Sequence, residues 1–396
     1  MNGKERIRVV ITGADTATGL GTARALHGGG IWTIGLATHP DAKFCYSRYW
    51  NQLVRVADDN ALFLEKLIEL GQAGPDRMVL LPTADHQVKV VSDHRDELSR
   101  YYDFVYPEPA VVDLLLEKTL FHPWAQQHGF PVPVSHVVGT RAELDDVLAR
   151  IRYPCVIKPF YREVLWNASV PQKVYKLTKA ADLEGIGLDL FAVCRQYVVQ
   201  QWIPGGDDRV YFCLFYIDRQ GRELGSYTGR KILQWPPGTG STAIGMGVVN
   251  AEVHRLAWEI LSTAGSRGLC SMEFKYALEE DKYYVIEPTI GRNDLQSYLA
   301  VAGGVNLSRL ALDDARHRSL GTPKSSPRRA TWAEDRMAVL ALIQALRARN
   351  LPWRTIRRVW SWKWAFSTFS WFDPLPTLYY LKKFVTKRLP WKVRSS

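Results

Sequence analysis

Leu269-Cys270-Ser271-Met272-Glu273-Phe274-Lys275-Tyr276-Ala277-Leu278, then Glu279-Glu280-Asp281, then Lys282-Tyr283-Tyr284-Val285-Ile286-Glu287, reads as two β-strands joined by a short acidic turn. Glu273 faces away from its apolar neighbours Met272 and Phe274, and Glu287 closes the second strand after Val285-Ile286. Antiparallel pairing through so short a turn brings both acids toward one end of a sheet. Two carboxylates there repel unless a cation lies between them, and magnesium carrying nucleotide phosphates is the usual hard-cation solution. On their own, two solvated glutamates on a hairpin face fit these residues at least as well.

The flanking sequence supplies cationic and hinge candidates. Pro154-Cys155-Val156-Ile157-Lys158-Pro159 is a short strand closed by a lysine, and proline beyond it limits the freedom of the chain. Such a lysine can project toward phosphate oxygens, although a lone lysine at a strand end is usually a surface residue. Gln196–Ile203 is a strand that stops at Pro204-Gly205-Gly206-Asp207-Asp208, so Gln200, Gln201, Trp202 and Ile203 run into a turn whose backbone groups could meet a purine edge. Val210–Ile217 and Glu223–Thr228, joined by Asp218-Arg219-Gln220-Gly221, make an antiparallel meander.

Toward the N-terminus the texture is α/β. Ile7–Thr12, Ile31–Leu36 and Arg77–Leu81 are short β-branched or apolar runs, alternating with helical patterns over Thr18–His27, Ala61–Leu70 and Gln87–Leu98. That alternation predicts a parallel sheet with helices on both faces. Gly13, Gly19 and Gly21 follow the first strand at a spacing looser than a dinucleotide fingerprint, and Ala37-Thr38-His39 stands where an acidic ribose ligand would be expected. The glycines are therefore read as a tight strand-to-helix turn. A nucleotide-dependent oxidoreductase is carried only as a third reading.

At 396 residues, 46% of them hydrophobic, the chain can build two or three domains with real cores. No signal-like or bilayer-length apolar stretch is present, and the five scattered cysteines form no CxxC pair, which predicts a cytoplasmic protein with reduced thiols and no zinc site. The net charge of +11 is concentrated at one end: Arg316–Ser396 holds 18 Lys and Arg against 3 Asp and Glu, so the remainder is slightly acidic. After a Gly/Pro/Ser/Arg linker at Gly321–Arg329, a helix is predicted over Trp332–Arg349, and half of the 14 tryptophans lie beyond Thr331. Aromatic rings interleaved with basic side chains suit the headgroup layer of an anionic membrane, which makes residues 331–396 a candidate for peripheral contact on the inner face. Packing of this segment on the protein's own body is an equally simple account. Nucleic acid asks for the same residue types but is ranked below, because no nucleic-acid module accompanies them.

In order and spacing these pieces resemble the ATP-grasp superfamily over residues 7–312. Lys118, before the Gly129-Phe130-Pro131-Val132-Pro133 turn, matches its first phosphate lysine, and Pro154–Pro159 its second, with Lys158 on the α/β-phosphates. Gln200–Gly205 matches the adenine hinge, Asp207 or Asp208 the ribose position, and Glu273 and Glu287 the two metal ligands. Within the superfamily the chain is most similar to carboxylate–amine ligases related to D-aspartate ligase and the carbamoyl-phosphate synthase large subunit, whose N-terminal domain Ser47-Arg48-Tyr49 and Leu81–Asp85 resemble. The implied architecture is α/β and α+β: a Rossmann-like pre-ATP-grasp domain (1–112), a two-subdomain ATP-grasp fold with a lid (113–195) and a metal-bearing part (196–318), and a basic helical tail (319–396). Two departures stand out. Thr289 replaces the asparagine common in the second acidic motif, where its hydroxyl, Asn293 or Asp294 would have to serve. The flap at Phe160–Gln172 contains no glycine, and Lys173 is the substitute source of positive charge.

The resemblance implies an ATP-dependent enzyme that activates a carboxylate as an acyl phosphate and couples it to an amine. Its metal would be magnesium, with manganese as an alternative, on Glu273, Glu287 and Thr289. Lys118, Lys158, Lys173 and Asp208 would hold nucleotide, and Arg230, Lys231 and Arg292 the reacting carboxylate or the tetrahedral intermediate. The expected partners are a small carboxylate such as an amino acid, an amine acceptor, an anionic membrane surface and a second copy of the chain. A membrane-recruited grasp fold that has lost turnover is the competing reading.

Overall fold

The computed structural model describes residues 6–159, 174–187, 189–318, 329–360 and 362–388. The first sheet consists of β1 (Ile7–Ile11), β2 (Ile31–Ala37), β3 (Gln52–Arg55), β4 (Met78–Leu81) and β5 (Tyr102–Asp103), all parallel in the order β3-β2-β1-β4-β5. Both faces are covered. Val9 and Ile11 join one core with the helix Ala17–Leu26, whereas Val10, Ile34 and Leu80 join another with Phe63 and Leu67 of Asn60–Ala73. This is the predicted Rossmann-like layer arrangement. The glycine turn is also explained by packing: a Cβ on Gly19 would lie 2.1 Å from the Gly13 carbonyl oxygen, so strand and helix approach only because that atom is missing.

The second sheet is antiparallel, with β6 (Ser135–Val138), β7 (Cys155–Pro159), β8 (Tyr175–Leu177) and β9 (Tyr197–Gln201) in the order β6-β9-β7-β8. It packs on Leu144, Val147 and Leu148 of the helix Arg141–Arg150. Because β9 is hydrogen-bonded on both edges, this sheet continues past residue 196 to Gln201.

The third sheet comprises β10 (Val210–Ile217), β11 (Glu223–Trp235), β12 (Ser241–Gly247), β13 (Gly268–Ala277), β14 (Lys282–Ile290), β15 (Ala330–Ala333) and β16 (Lys363–Phe366), in the order β14-β13-β10-β11-β12-β15-β16. The C-terminal segment is helical over Asp335–Arg347, Trp353–Val359 and Leu375–Arg388, but its β15 and β16 also extend this sheet. Trp332, expected in a helix, lies in β15 and is 1% exposed. The helix starts at Asp335, where the Glu334 carboxylate accepts from the Met337 amide at 2.7 Å.

One buried ion pair ties the end of the chain to its beginning. Asp373 accepts from Arg24 Nη2 (3.0 Å), Ser47 Oγ (2.7 Å) and the Arg48 amide (3.0 Å), while Arg24 also donates to the carbonyls of Phe366, Ser367 and Thr368. Asp373 is fully buried. Removing one partner of such a pair strands the other charge, so Asp373→Ala is expected to cost about 3–5 kcal/mol. Urea unfolding monitored by circular dichroism measures this, and a loss below about 1 kcal/mol would refute the anchoring role.

Candidate active site

Glu273 of β13 stands directly opposite Glu287 of β14. A bulge produces this pairing. From Ala277↔Lys282 to Phe274↔Val285 the register is regular, and the shift between Glu273 and Phe274 leaves Ile286 as the extra residue. Without it Glu273 would face Ile286, and Glu287 would point to the opposite side of the sheet. The bulge therefore puts both carboxylates on one face.

Both acids line a cleft of about 880 Å³ between the second and third sheets. Lys231 of β11 donates to Glu273 Oε2 at 3.0 Å; Lys231 is buried and Glu273 partly so. Lys118, at the start of the helix Lys118–Gln127, lies 3.3 Å from Glu287 Oε2 at the open side. Burial, joined by the charges of Asp294 and Glu287, holds the Glu273 carboxyl above its usual range despite Lys231. For Glu287 burial acts in the same direction but is outweighed by Lys118, Lys231 and Lys158, and its pKa falls. Lys158 reaches the cleft from β7. Burial, reinforced by Lys118, lowers it to about 7. Its Nζ donates to Gln200 Oε1 (2.8 Å), and Gln200 Nε2 in turn donates to Ser135 Oγ (2.8 Å), so the lysine is aimed by a two-step relay.

The predicted hinge, Gln200 to Ile203, forms part of the cleft wall. The amides of Gln201 and Trp202 are engaged by the carbonyls of Val134 and Pro154 (both 2.9 Å), so a purine edge would have to be met by other backbone groups of the stretch. Asp208 is not in the wall and contributes its carbonyl to Arg230 Nη1 at 3.5 Å. Asp207 staples the neighbouring loop, accepting from the Gln234 and Gly238 amides (2.8 and 2.9 Å). Arg230 precedes Lys231 in β11 and points to the other face, outside the cleft wall, where its Nε lacks a hydrogen-bond partner. Arg292 does line the cleft and pairs with Asp85 at 2.5 Å; burial opposes its charge, but Asp85 keeps the pKa raised. Thr289, opposite Ser271, is buried two pairs beyond the glutamates and is not in the wall. Lys173 lies outside the described residues.

Three further cleft residues escaped the sequence reading. Lys275 is two positions from Glu273 on β13 and hence on the same face; strand alternation alone could have found it. It donates to the carbonyls of Gly205 and Gly206 (2.9 and 2.7 Å), and burial lowers it to about 8. Gln296 donates to Glu273 Oε1 (3.3 Å) and Asp294 Oδ2 (3.4 Å). Gln234 accepts from Lys231 (3.2 Å). No spacing rule points to either glutamine. Of the two named substitutes for Thr289, Asp294 lines the cleft, whereas Asn293 is buried and donates to Thr22 and Ser308 (2.8 and 2.9 Å).

The donor set fits a magnesium ion shared with phosphates. It consists of oxygen ligands, and two carboxylates face each other at a site where burial, joined by the charges of Asp294 and Glu287, raises the Glu273 pKa. Among the described residues no three His, Cys, Asp or Glu side chains converge on one point, so phosphate and water oxygens would complete the coordination shell.

No family model matches the chain. In sequence, 283 residues align at 20% identity with D-aspartate ligase of Enterococcus faecium (strain Aus0004), covering 68% of this chain and 67% of that protein. In structure, the chain is similar to the biotin carboxylase of Campylobacter jejuni in its β-γ-ATP complex, with TM-score 0.63 and 15% identity over 84% of this chain and 75% of that one. It is also similar to N5-carboxyaminoimidazole synthetase of Staphylococcus aureus complexed with ADP, with TM-score 0.62 and 13% identity over 81% and 80%. The biotin carboxylase domain of a Hydrogenobacter thermophilus 2-oxoglutarate carboxylase, complexed with MgADP and bicarbonate, gives 0.61 and 14% over 82% and 73%. The chain has the ATP-grasp fold and is similar in sequence to D-aspartate ligase.

Proposed function

We propose that this protein is an ATP- and magnesium-dependent ligase that joins a carboxylate to an amine and releases ADP and phosphate. The observation that carries the reading is the convergence of Lys118, Lys158, Glu273 and Glu287 on one cleft. A carboxylate oxygen attacks the γ-phosphorus as the bond to the β-phosphate oxygen breaks, giving an acyl phosphate and ADP. The amine then attacks the acyl carbon, the carbon–oxygen bond to phosphate breaks, and a proton leaves the nitrogen. Phosphoryl transfer needs alignment and charge neutralisation more than covalent help. When bound on Glu273 and Glu287, magnesium supplies that neutralisation at the phosphates. Lys118 takes up charge at the open side and Lys158, aimed by Gln200, on the lid side. Lys231 holds Glu273 in place until nucleotide enters.

The carboxylate we infer is an amino acid, the class that the name of the related ligase specifies. Arg292 and Asp85, paired at the edge of the cleft, present the two charges complementary to an amino acid's carboxylate and ammonium. An envelope-linked amine would suit a protein held at the inner face of a membrane, and we infer that residues 331–396 bring it to an anionic one. A nucleotide-binding protein that has lost turnover is the second reading, and the position of Thr289 outside the cleft is the observation in its favour.

Two measurements test the ligase reading. Glu287→Gln should lower ADP release with carboxylate/amine pairs by about a hundredfold or more, while thermal unfolding stays near that of the parent. ADP release as fast as the parent's removes the metal assignment, and no turnover by the parent with any pair favours the second reading. The other measurement uses Lys158. Its ammonium is half-neutralised near pH 7 in the free protein, and bound phosphates favour the charged form. Nucleotide binding should therefore take up protons, and ADP affinity should fall as the pH rises above about 7, at most about tenfold per unit. Calorimetry in buffers of different ionisation enthalpy reads the uptake, and Lys158→Arg, which stays charged, should lessen it. Equal uptake by parent and variant would exclude Lys158 as its source.

A further inference from the structure

The stretch Trp371–Lys383 is mounted rigidly on one side and open on the other. Asp373 is held by Arg24, Ser47 and the Arg48 amide, and Arg48 Nη1 donates to the Phe372 carbonyl at 3.3 Å. In the helix Leu375–Arg388, Pro376 is buried, Tyr379 stacks on Tyr46 with ring centroids 3.7 Å apart, and Lys43 lies 4.7 Å over the Tyr380 ring. Lys383 donates to the Asp41 carbonyl at 3.0 Å. These contacts use one side of the helix.

The other side is apolar and exposed. Trp371 and Phe372, in the turn before the helix, are 84% and 78% exposed, and Leu375, Leu378 and Leu381 continue the stripe at helical spacing. Isolated apolar residues on a surface need no explanation, but two aromatics and three leucines on one short element do. Charge narrows the choice of partner. Residues 371–396 contain six Lys and Arg and one acid, Asp373, which Arg24 already neutralises. A second copy of the chain docked on the same stripe would bring two such positive segments together. An anionic surface would instead neutralise them, and apolar rings beside lysines suit the headgroup layer.

We propose that Trp371–Lys383 is the membrane-docking surface of this protein, with the helix lying along an anionic bilayer and Trp371 and Phe372 entering its headgroup layer. The proposal rests on the membrane reading given above and reduces it to one side of one helix. Docking of this kind fixes the orientation of the whole body, because Asp373 and Tyr379 couple the stripe to the first sheet's domain.

Flotation of the full chain with vesicles of phosphatidylcholine, alone or mixed with phosphatidylglycerol, tests it. The parent should float with the mixed vesicles only, less so at high salt. Trp371→Ser with Phe372→Ser should lower partitioning at least about tenfold, with ADP-dependent thermal stabilisation retained as evidence of folding. Val339→Ser with Ile343→Ser, on a different exposed stripe, should leave it unchanged. If the first double variant floats like the parent, or only the second loses flotation, the assigned surface is wrong although the membrane reading stands. If the parent ignores mixed vesicles, both fall. A concentration-dependent dimer or retention on RNA that the first double variant abolishes, without vesicle binding, would also overturn the proposal. Glu287→Gln should float like the parent, which keeps docking separate from turnover.

Discussion

Glu273 and Glu287 face each other across one antiparallel pair, and much of the surrounding structure answers the resulting charge repulsion. Two ionised carboxylates in that position are unfavourable without cations nearby. Lys231 comes from two strands away and is buried against Glu273, and its removal would leave that acid without its direct ion-pair partner. Lys118 comes from a helix outside the sheet and meets Glu287 with about half of each side chain exposed, a pairing that contributes little stability and is easily exchanged. The asymmetry has a functional reading. The more buried pair keeps the geometry, whereas the exposed lysine is the one free to turn to another anion.

The same cleft is where the domains are joined. Arg292 reaches Asp85 beside the first sheet, and Asn293, one residue on, donates to Thr22 of the first helix and to Ser308. Residues 292 and 293 thus both link to the N-terminal part of the chain, and residue 294 contributes a cleft carboxylate. From the other side, Lys275 clasps the Gly205 and Gly206 carbonyls just after the lid strand. Displacement of either domain would shift cleft residues directly, because those residues themselves make the connections.

How much of this was legible depends on whether the signal was local. The strands of the hairpin, the parallel N-terminal sheet and the lysine closing β7 are written in alternation, β-branched runs and turn residues, and they stand in the structure where the pattern puts them. The bulge at Ile286 is not written there: no glycine marks it, and it is defined by the partner strand. Arg230 and Lys231 look equivalent as a dipeptide, yet strand pairing turns only one inward. Thr289 matches a motif position by count alone, and the structure buries it beyond the wall. The membership of β9 in the second sheet is not written locally either, because β9 finds its neighbours, β6 and β7, far back along the chain.

The C-terminal segment illustrates the point most fully. Its tryptophans and basic residues suggest one function for all, but burial divides them. Trp332 is core, whereas Trp353, Trp360 and Trp371 are exposed. A composition average over residues 331–396 cannot see this division, and neither can a deletion. Truncation at residue 330 would remove nearly all of β15, all of β16 and Asp373 together, expose the edge of β12, and leave Arg24 buried without its carboxylate. A protein so damaged would lose membrane binding, nucleotide binding or solubility for one and the same reason. The segment is both scaffold and surface, so its roles can be separated only at side chains that stand largely in solvent, and Trp371 and Phe372 are two of these.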